Sequence, residues 1–343
     1  MNAAYCTTAG RIEIRSIAEP IPAPHEVVVE VHACGICGSD LHYFDGGFPP
    51  PAICPGHEIA GRIVAVGATA GIELGTRVAV EPLVVCGNCP YCRTGNYQLC
   101  PQFRIIGNSV DGGFAERVCV PARSVFPLPD EIDFEVGALT EPLAVAVHAL
   151  RLAQPTTGDS VLVLGAGTIG LMAVAAARAA GAGTIWVTAR HPHQEAAARS
   201  LGADQVFIGR AGEANLRAQA RRDVVDIVVE TVGGTAPTIE EAIRYVRRGG
   251  KVVVLGIFTQ PSRIDATTLV VKEVQLLGSM TYGRAGVRAD FERTLDILRR
   301  DGERLRTLIT HRVALGEIAA GFAAAADKRS GSIKVIVQPN RSA

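Results

Sequence analysis

The segment Val161-Leu162-Val163-Leu164-Gly165-Ala166-Gly167-Thr168-Ile169-Gly170 limits the possible folds of this 343-residue chain more than any other. Four branched apolar residues read as a buried strand, GAGTIG follows without a spacer, and an Ala-rich stretch of helical character comes next. In that setting the glycines permit a tight turn, close approach of the backbone to a pyrophosphate, and close helix–strand contact. The helix N-terminus then faces the phosphates. The plainer reading is a glycine-rich turn with no ligand. On the first reading Gly165, Gly167, Thr168, Ile169 and Gly170 are the candidate dinucleotide-binding residues. Ser160 to Ala177 is a run of 18 uncharged residues, close to membrane-spanning length, but three glycines interrupt it. Strand, turn and helix account for it better than a span does.

From Ser160 onward strands alternate with helical stretches: Val161–Leu164, Ile185–Thr188, Gln205–Ile208, Val224–Glu230, Lys251–Leu255 and Val274–Leu277. Six strands in βα alternation predict a doubly wound parallel sheet. Roughly 20 residues past the glycines, a site for NAD offers Asp or Glu to the ribose hydroxyls. Here the second strand ends Val187-Thr188-Ala189-Arg190-His191. Ala189 stands in place of the acid, which removes repulsion of a 2′-phosphate, and the Arg190 guanidinium can bind that phosphate bidentately. His191 and His193 add possible donors. The loop favours NADP(H) over NAD(H), unless Arg190 is only a solvated loop residue.

At roughly 150 residues per domain, the length leaves room for a second domain before this sheet. The first 140 residues read as short strands, among them Val27–Val31, Ile59–Val66 and Arg77–Val80. Pro and Gly clusters such as Phe48-Pro49-Pro50-Pro51 punctuate them, which predicts a small β-barrel or sandwich. The tail has a helix from Asp290, with apolar residues at i, i+4 and i+7, and a closing strand-like segment, Ile333–Val337. An apolar fraction of 48% rules out intrinsic disorder. Balanced charge, 34 Lys+Arg against 34 Asp+Glu, argues against a nucleic-acid or membrane-surface binder. The N-terminus MNAAYCTTAGRIEIR has no apolar region of secretory type, so a cytoplasmic location is expected.

Nine cysteines in such a chain suggest metal or redox chemistry before disulfides. Seven lie between Cys34 and Cys100. Cys86-x2-Cys89-x2-Cys92-x7-Cys100 brings four thiolates together around Gly87, Pro90 and Gly95, the donor set of a tetrahedral Zn²⁺. A closed shell of four cysteines leaves no open position, so this zinc is expected to be structural. Four buried free thiols are the alternative. A scattered second set consists of Gly35-Ile36-Cys37-Gly38-Ser39-Asp40-Leu41-His42, Gly56-His57-Glu58 and Glu141-Pro142. Cys, His and carboxylate are all zinc ligands. Singly each has a plainer reading: Cys37 as a core thiol, His57 as a satisfied buried histidine, Glu58 and Glu141 as surface acids or ion-pair partners.

Together these motifs resemble the zinc-dependent medium-chain dehydrogenases, the alcohol and polyol dehydrogenase family, in its sorbitol- and butanediol-dehydrogenase-like branch. The resemblance covers nearly the whole chain: GICGSDLH (35–42), GHEIAG (56–61), the four-cysteine lobe, DGGFAE (111–116), EPLAVAVHA (141–149) and VLVLGAGTIG (161–170), in family order. It implies a GroES-like β-barrel catalytic domain, residues 1–145 with 284–343, holding the structural zinc lobe at about 84–102. A Rossmann domain, residues 146–283, is inserted in it, with the active-site cleft between the two. It implies a catalytic zinc held by Cys37 and His57 with Glu58 and Glu141, each carboxylate bound directly or through water. Ser39 is implied to bridge substrate and a proton relay that continues to His42, and Asp40 to orient His57 or the loop. Val232 and Leu255 complete the expected cofactor contacts.

The implied activity is hydride transfer between a secondary alcohol, diol or polyol, or its ketone, and NADP(H) or NAD(H). Sorbitol dehydrogenases usually carry an Arg-Tyr pair after the last Rossmann strand. This chain has Thr281-Tyr282, which departs from a long-polyol pattern. A zinc-free quinone or enone reductase on the same fold and a non-catalytic dinucleotide-binding protein are the competing readings. The first should lack the Cys37, His57 and Glu141 set, and the second should have lost ligands or Ser39. A homodimer or homotetramer is expected, and no nucleic-acid or membrane partner.

Overall fold

The computed structural model describes residues 1–341 other than 48, 50, 51 and 223. Most of the Phe48–Pro51 cluster therefore lies outside the described residues. The chain divides into two compact units, one made of Met1–Glu141 and Gly283–Ala343, the other of Pro142–Tyr282.

The second unit is built on a six-stranded sheet, all parallel. Its order across the sheet is Gln205–Ile208, Thr184–Ala189, Ser160–Leu164, Ile227–Glu230, Lys251–Val254 and Gln275–Gly278. Numbered along the chain, that is 3-2-1-4-5-6, the doubly wound order. Its direction reverses beside Ser160–Leu164, which places the ligand crevice at the C-terminal ends of the strands on either side. Val161, Leu162, Val163 and Leu164 are all at most 2% exposed, as expected of a central strand covered by helices on both faces. The uncharged run resolves into the strand Ser160–Leu164 and the helix Thr168–Ala179. Among the described residues one helical stretch, Phe134–Ala153, is long and apolar enough to cross a membrane, yet 78% of its apolar window is buried within the protein.

In the first unit the strand Glu26–Gly35 is the hub. It pairs antiparallel with Glu58–Val66, with Arg117–Pro121 and with the last strand, Lys334–Gln338. Val27, Val29 and Val31 alternate inward to a core shared with Ile59, Ile63, Val78, Val80, Val335 and Val337. The helix Ile318–Ala326 closes this core through Phe322, whose ring lies tilted to Phe44 at 5.2 Å and edge-on to Phe114 at 5.7 Å. The tail helix Asp290–Arg306 buries Phe291, Ile297, Leu298 and Leu305, together with the polar Asp290 and Thr294, on one face at helical spacing.

Candidate metal centres and cofactor loop

The four-cysteine segment folds around a one-turn helix, Pro90–Arg93, that Cys89 caps by accepting the Cys92 N–H. Gly87 and Gly95 take left-handed backbone conformations at its two ends, φ +77 and +82. The sulfur atoms of Cys86, Cys89, Cys92 and Cys100 all lie within 4.8 Å of one another. Cys86 is 3.9 Å from Cys92 and 3.5 Å from Cys100. A tetrahedron with Zn–S bonds of about 2.3 Å has edges of about 3.8 Å, so the set fits that ion. Backbone N–H groups of Asn88 and Cys89 hold the Cys86 thiol down at about 6, while burial and the neighbouring sulfurs push Cys92 up to about 12, so without a metal the thiolate is favoured at Cys86 and not at Cys92. The segment is anchored from below. The Tyr97 hydroxyl donates to Glu81 Oε1, and the Arg284 N–H donates to the Gly95 carbonyl at 2.9 Å.

The second donor set is assembled by strand pairing. Gly35, two residues before Cys37, lies opposite Glu58, the neighbour of His57. Ligand atoms of Cys37, His57 and Glu58 fall within 4.8 Å of one another. Cys37 caps the helix Gly38–Phe44, and its N–H donates to Asp40 Oδ2 at 2.9 Å. Asp40 Oδ1 lies 3.8 Å from His57 Nδ1, so one buried carboxylate bears on two of the three donors. Burial works against a charged His57 ring, but Asp40, Cys37 and Glu141 outweigh it and raise its pKa well above the ordinary value. The site is thus a field that favours a cation, which is what zinc needs. Glu141, 7% exposed in the first turn of Thr140–Ala153, acts on this field but stands outside the 4.8 Å set. Ser39 and His42 lie one turn apart on the Gly38–Phe44 helix and share a face, Ser39 exposed and His42 half-buried.

In the glycine loop, Gly165 has φ +98, and its N–H donates to Thr188 Oγ1 at 2.9 Å. A Cβ at Gly170 would stand 1.9 Å from the Gly165 carbonyl oxygen, so only glycine lets the helix start this close to the strand. A Cβ at Gly167 would meet nothing within 4 Å. The loop tip is open, and no side chain caps the Thr168–Ala179 helix behind it, so the helix N-terminus faces the loop where a diphosphate would sit. Thr168 and Ile169 form its half-exposed first turn. Ala189 ends its strand 7% exposed and Arg190 is exposed. Gln194 Oε1 accepts the N–H groups of Arg190 and His191 at 3.0 and 3.2 Å, and the His191 and His193 rings stack at 5.4 Å. Val232 is 40% exposed past the fourth strand, and Leu255, half-buried, follows the fifth.

Two structural carboxylates had no local sequence signal. Glu230, fully buried, accepts Val232 N–H, Gly233 N–H and the Thr238 hydroxyl with one oxygen, which shapes the loop beside the glycine turn. Glu81 sits beneath the cysteine lobe, where burial pushes its carboxyl up to about 7 despite the Tyr97 hydrogen bond.

Comparison with known proteins agrees with this geometry. Residues 23–130 match the alcohol dehydrogenase GroES-like domain, and residues 168–300 match the zinc-binding dehydrogenase family. Sorbitol dehydrogenase of Bacillus subtilis is 34% identical over 352 residues, covering 99% of this chain and 98% of that protein. The structure of a zinc-binding dehydrogenase from Sinorhizobium meliloti bound to NADP superimposes with a TM-score of 0.90 at 33% identity, over 98% of this chain and 99% of that one. Galactitol-1-phosphate dehydrogenase from Escherichia coli gives 0.89 at 31% identity, over 99% and 100%. The zinc-free and non-catalytic readings are accordingly not favoured. A GroES-like unit with two metal-donor sets, a Rossmann sheet with its glycine turn and relatives matched end to end all agree: the chain belongs to the zinc-type medium-chain alcohol dehydrogenases, NAD(P)-dependent oxidoreductases.

Proposed function

We propose that this enzyme interconverts a small secondary alcohol, vicinal diol or sugar-derived polyol with its ketone, using NADP(H) in preference to NAD(H). The observation that carries the reading is the convergence of Cys37, His57 and Glu58 within 4.8 Å on one strand pairing. With Glu141 contributing from its helix, directly or through water, these residues would hold the catalytic zinc, and the four cysteines the structural one. A zinc bound there supplies Lewis acidity that lowers the pKa of an alcohol oxygen towards neutrality. Ser39 takes the alcohol proton and hands it to His42, one helical turn on along the same face. Asp40 holds the Cys37 loop and His57 in place during the transfer. The glycine loop would hold the cofactor's diphosphate, and a nicotinamide bound there would supply the hydride chemistry. Glu58, fully buried, would contribute to catalysis as a carboxylate donor to that zinc.

The substrate class draws support from the sorbitol and galactitol-1-phosphate dehydrogenases among the relatives, and cofactor choice from Ala189-Arg190 and from the NADP-bound structural neighbour. Thr281 in place of an arginine favours a short substrate over a long polyol. A panel of secondary alcohols, diols and polyols with each cofactor, followed at 340 nm, tests the reading. Turnover of at least one of them with higher kcat/KM for NADP is expected. Activity on none of them would reject the substrate class, and a clear NAD preference the cofactor choice.

We also read the protein as a cytoplasmic homodimer or homotetramer. Supporting this are nine cysteines without a disulfide and an open edge strand, Gln275–Gly278. In the same unit Val270, Val271, Ile257 and Ile264 are 69, 60, 61 and 46% exposed. A strand edge and apolar side chains of this kind are normally covered. Sedimentation equilibrium giving a single-chain mass would reject it.

A further inference from the structure

Lys334 is the one buried lysine or arginine among the described residues, and it is aimed at the proposed catalytic metal site. It opens the last strand, Lys334–Gln338. Its ammonium donates to Glu58 Oε1 and Oε2, both at 2.7 Å, and to the Ile36 carbonyl at 3.0 Å, so its three N–H bonds have three acceptors. The side chains of Lys334 and Glu58 are 1% and 0% exposed. Neither has water to turn to, and removal of either leaves an uncompensated buried charge. Gly35 fixes the carboxylate from the other side. A Cβ there would stand 1.8 Å from Glu58 Oε2, so the carboxylate occupies space that only glycine leaves. Glu58 therefore has one place to be, and that place is within 4.8 Å of the donor atoms of Cys37 and His57. Each carboxylate oxygen has two lone pairs, so the bonds to Lys334 leave one on each oxygen for a cation. The choice of lysine is informative in a chain with 30 arginines and 4 lysines. Its compact ammonium places three rotatable donors on three acceptors clustered around one point.

We propose that Lys334 is the positioning residue of the catalytic metal centre. Its ammonium fixes Glu58 as the carboxylate ligand and, through the Ile36 carbonyl, ties the Cys37 loop to the same point. The last strand of the chain is thereby part of the metal centre. This rests on the reading of Cys37, His57 and Glu58 as ligands given above.

The test is zinc retention by the holoenzyme, titrated with a chromophoric chelator. Lys334→Met should weaken one of the two zinc ions by about 10–100-fold, the usual loss when a group hydrogen-bonded to a ligand is removed. The zinc on the four cysteines should keep its affinity. A purely structural lysine would lower thermal stability and leave the zinc affinity of the folded protein unchanged. Should Lys334→Met not fold, Lys334→Gln, which keeps a donor without the charge, is measured by the same criterion. Glu58→Gln separates the two readings. If it loosens the same zinc while the Lys334 variant binds both ions as the unmodified protein does, the role of Lys334 is overturned and the ligand set stands. If Glu58→Gln itself leaves zinc affinity unchanged, the ligand set is wrong and the proposal goes with it.

Discussion

The Tyr97 hydroxyl donates to the buried carboxylate of Glu81, joining the cysteine lobe to the strand-end segment beneath it. Burial raises the Glu81 carboxyl from its ordinary value of 4.5 to about 7. The native state therefore keeps a proton that the unfolded chain releases between those values. Its stabilising contribution is complete below pH 4.5 and is lost as the pH rises through 7. The difference is about 2–4 kcal/mol. Glu81→Gln, which cannot ionise, should gain stability relative to the unmodified protein as the pH goes from 5 to 8. Thermal unfolding at several pH values checks this, and a pH-independent difference would reject it.

Cys92→Ser should remove one zinc per chain and lower thermal stability, with much smaller effects on the chemistry of the surviving folded enzyme. A structural site contributes folding energy directly, and two of the sulfur pairs in this lobe, 3.5 and 3.9 Å apart, lie close to the edge length of a zinc tetrahedron. Metal analysis alongside a melting curve decides it: normal zinc content with a normal melting temperature would exclude a metal at these cysteines.

Ser39→Ala should lower turnover by about 10²–10⁴-fold, the range of general acid–base steps, while both zinc ions stay bound. The serine sits one turn from His42 and is not one of the donor residues Cys37, His57 and Glu58, so its loss breaks the relay and spares the ligands. Unchanged turnover would mean that water carries the proton from the alcohol.

The paired change Ala189→Asp with Arg190→Leu should swing cofactor preference towards NAD by roughly one to two orders of magnitude, since a charge-assisted bond is worth about 1.5–3 kcal/mol. Ala189 is the last residue of its strand, next to the Thr188 that holds the glycine loop, so a carboxylate there is well placed for the ribose hydroxyls. Ratios of kcat/KM for the two cofactors in the variant and the unmodified enzyme measure the swing.

The local parts of this protein were legible in the sequence because their determinants are local. The run VLVLGAGTIG carries its own strand, turn and helix start, and the structure places the strand at Ser160–Leu164 and the helix at Thr168–Ala179. Arg77–Val80 and Gln205–Ile208 emerge with the expected limits. The four cysteines span 15 residues and needed only a turn to converge. What stayed hidden depends on distant segments. Nothing around Lys334 in Ser332-Ile333-Lys334-Val335 shows that its ammonium is buried on Glu58. Glu230 reads as the polar end of a strand, yet one of its oxygens gathers three donors. The strand order was implied only by alternation, and the pairing of Lys334–Gln338 with both Glu26–Gly35 and Ile309–Ala314 had no pattern to announce it.

The contact between Lys334 and Glu58 spans 276 residues of sequence, and that distance is also a delay during synthesis. At roughly 5–20 residues per second, a ribosome needs about 14–55 s after making Glu58 to reach Lys334. Through that interval Cys37, His57 and Glu58 have left the decoding centre while the ammonium that settles them does not yet exist. A nascent chain arrested between Gly170 and Lys334 already carries the residues of the four-cysteine lobe and of the glycine loop, and it has no completed catalytic centre.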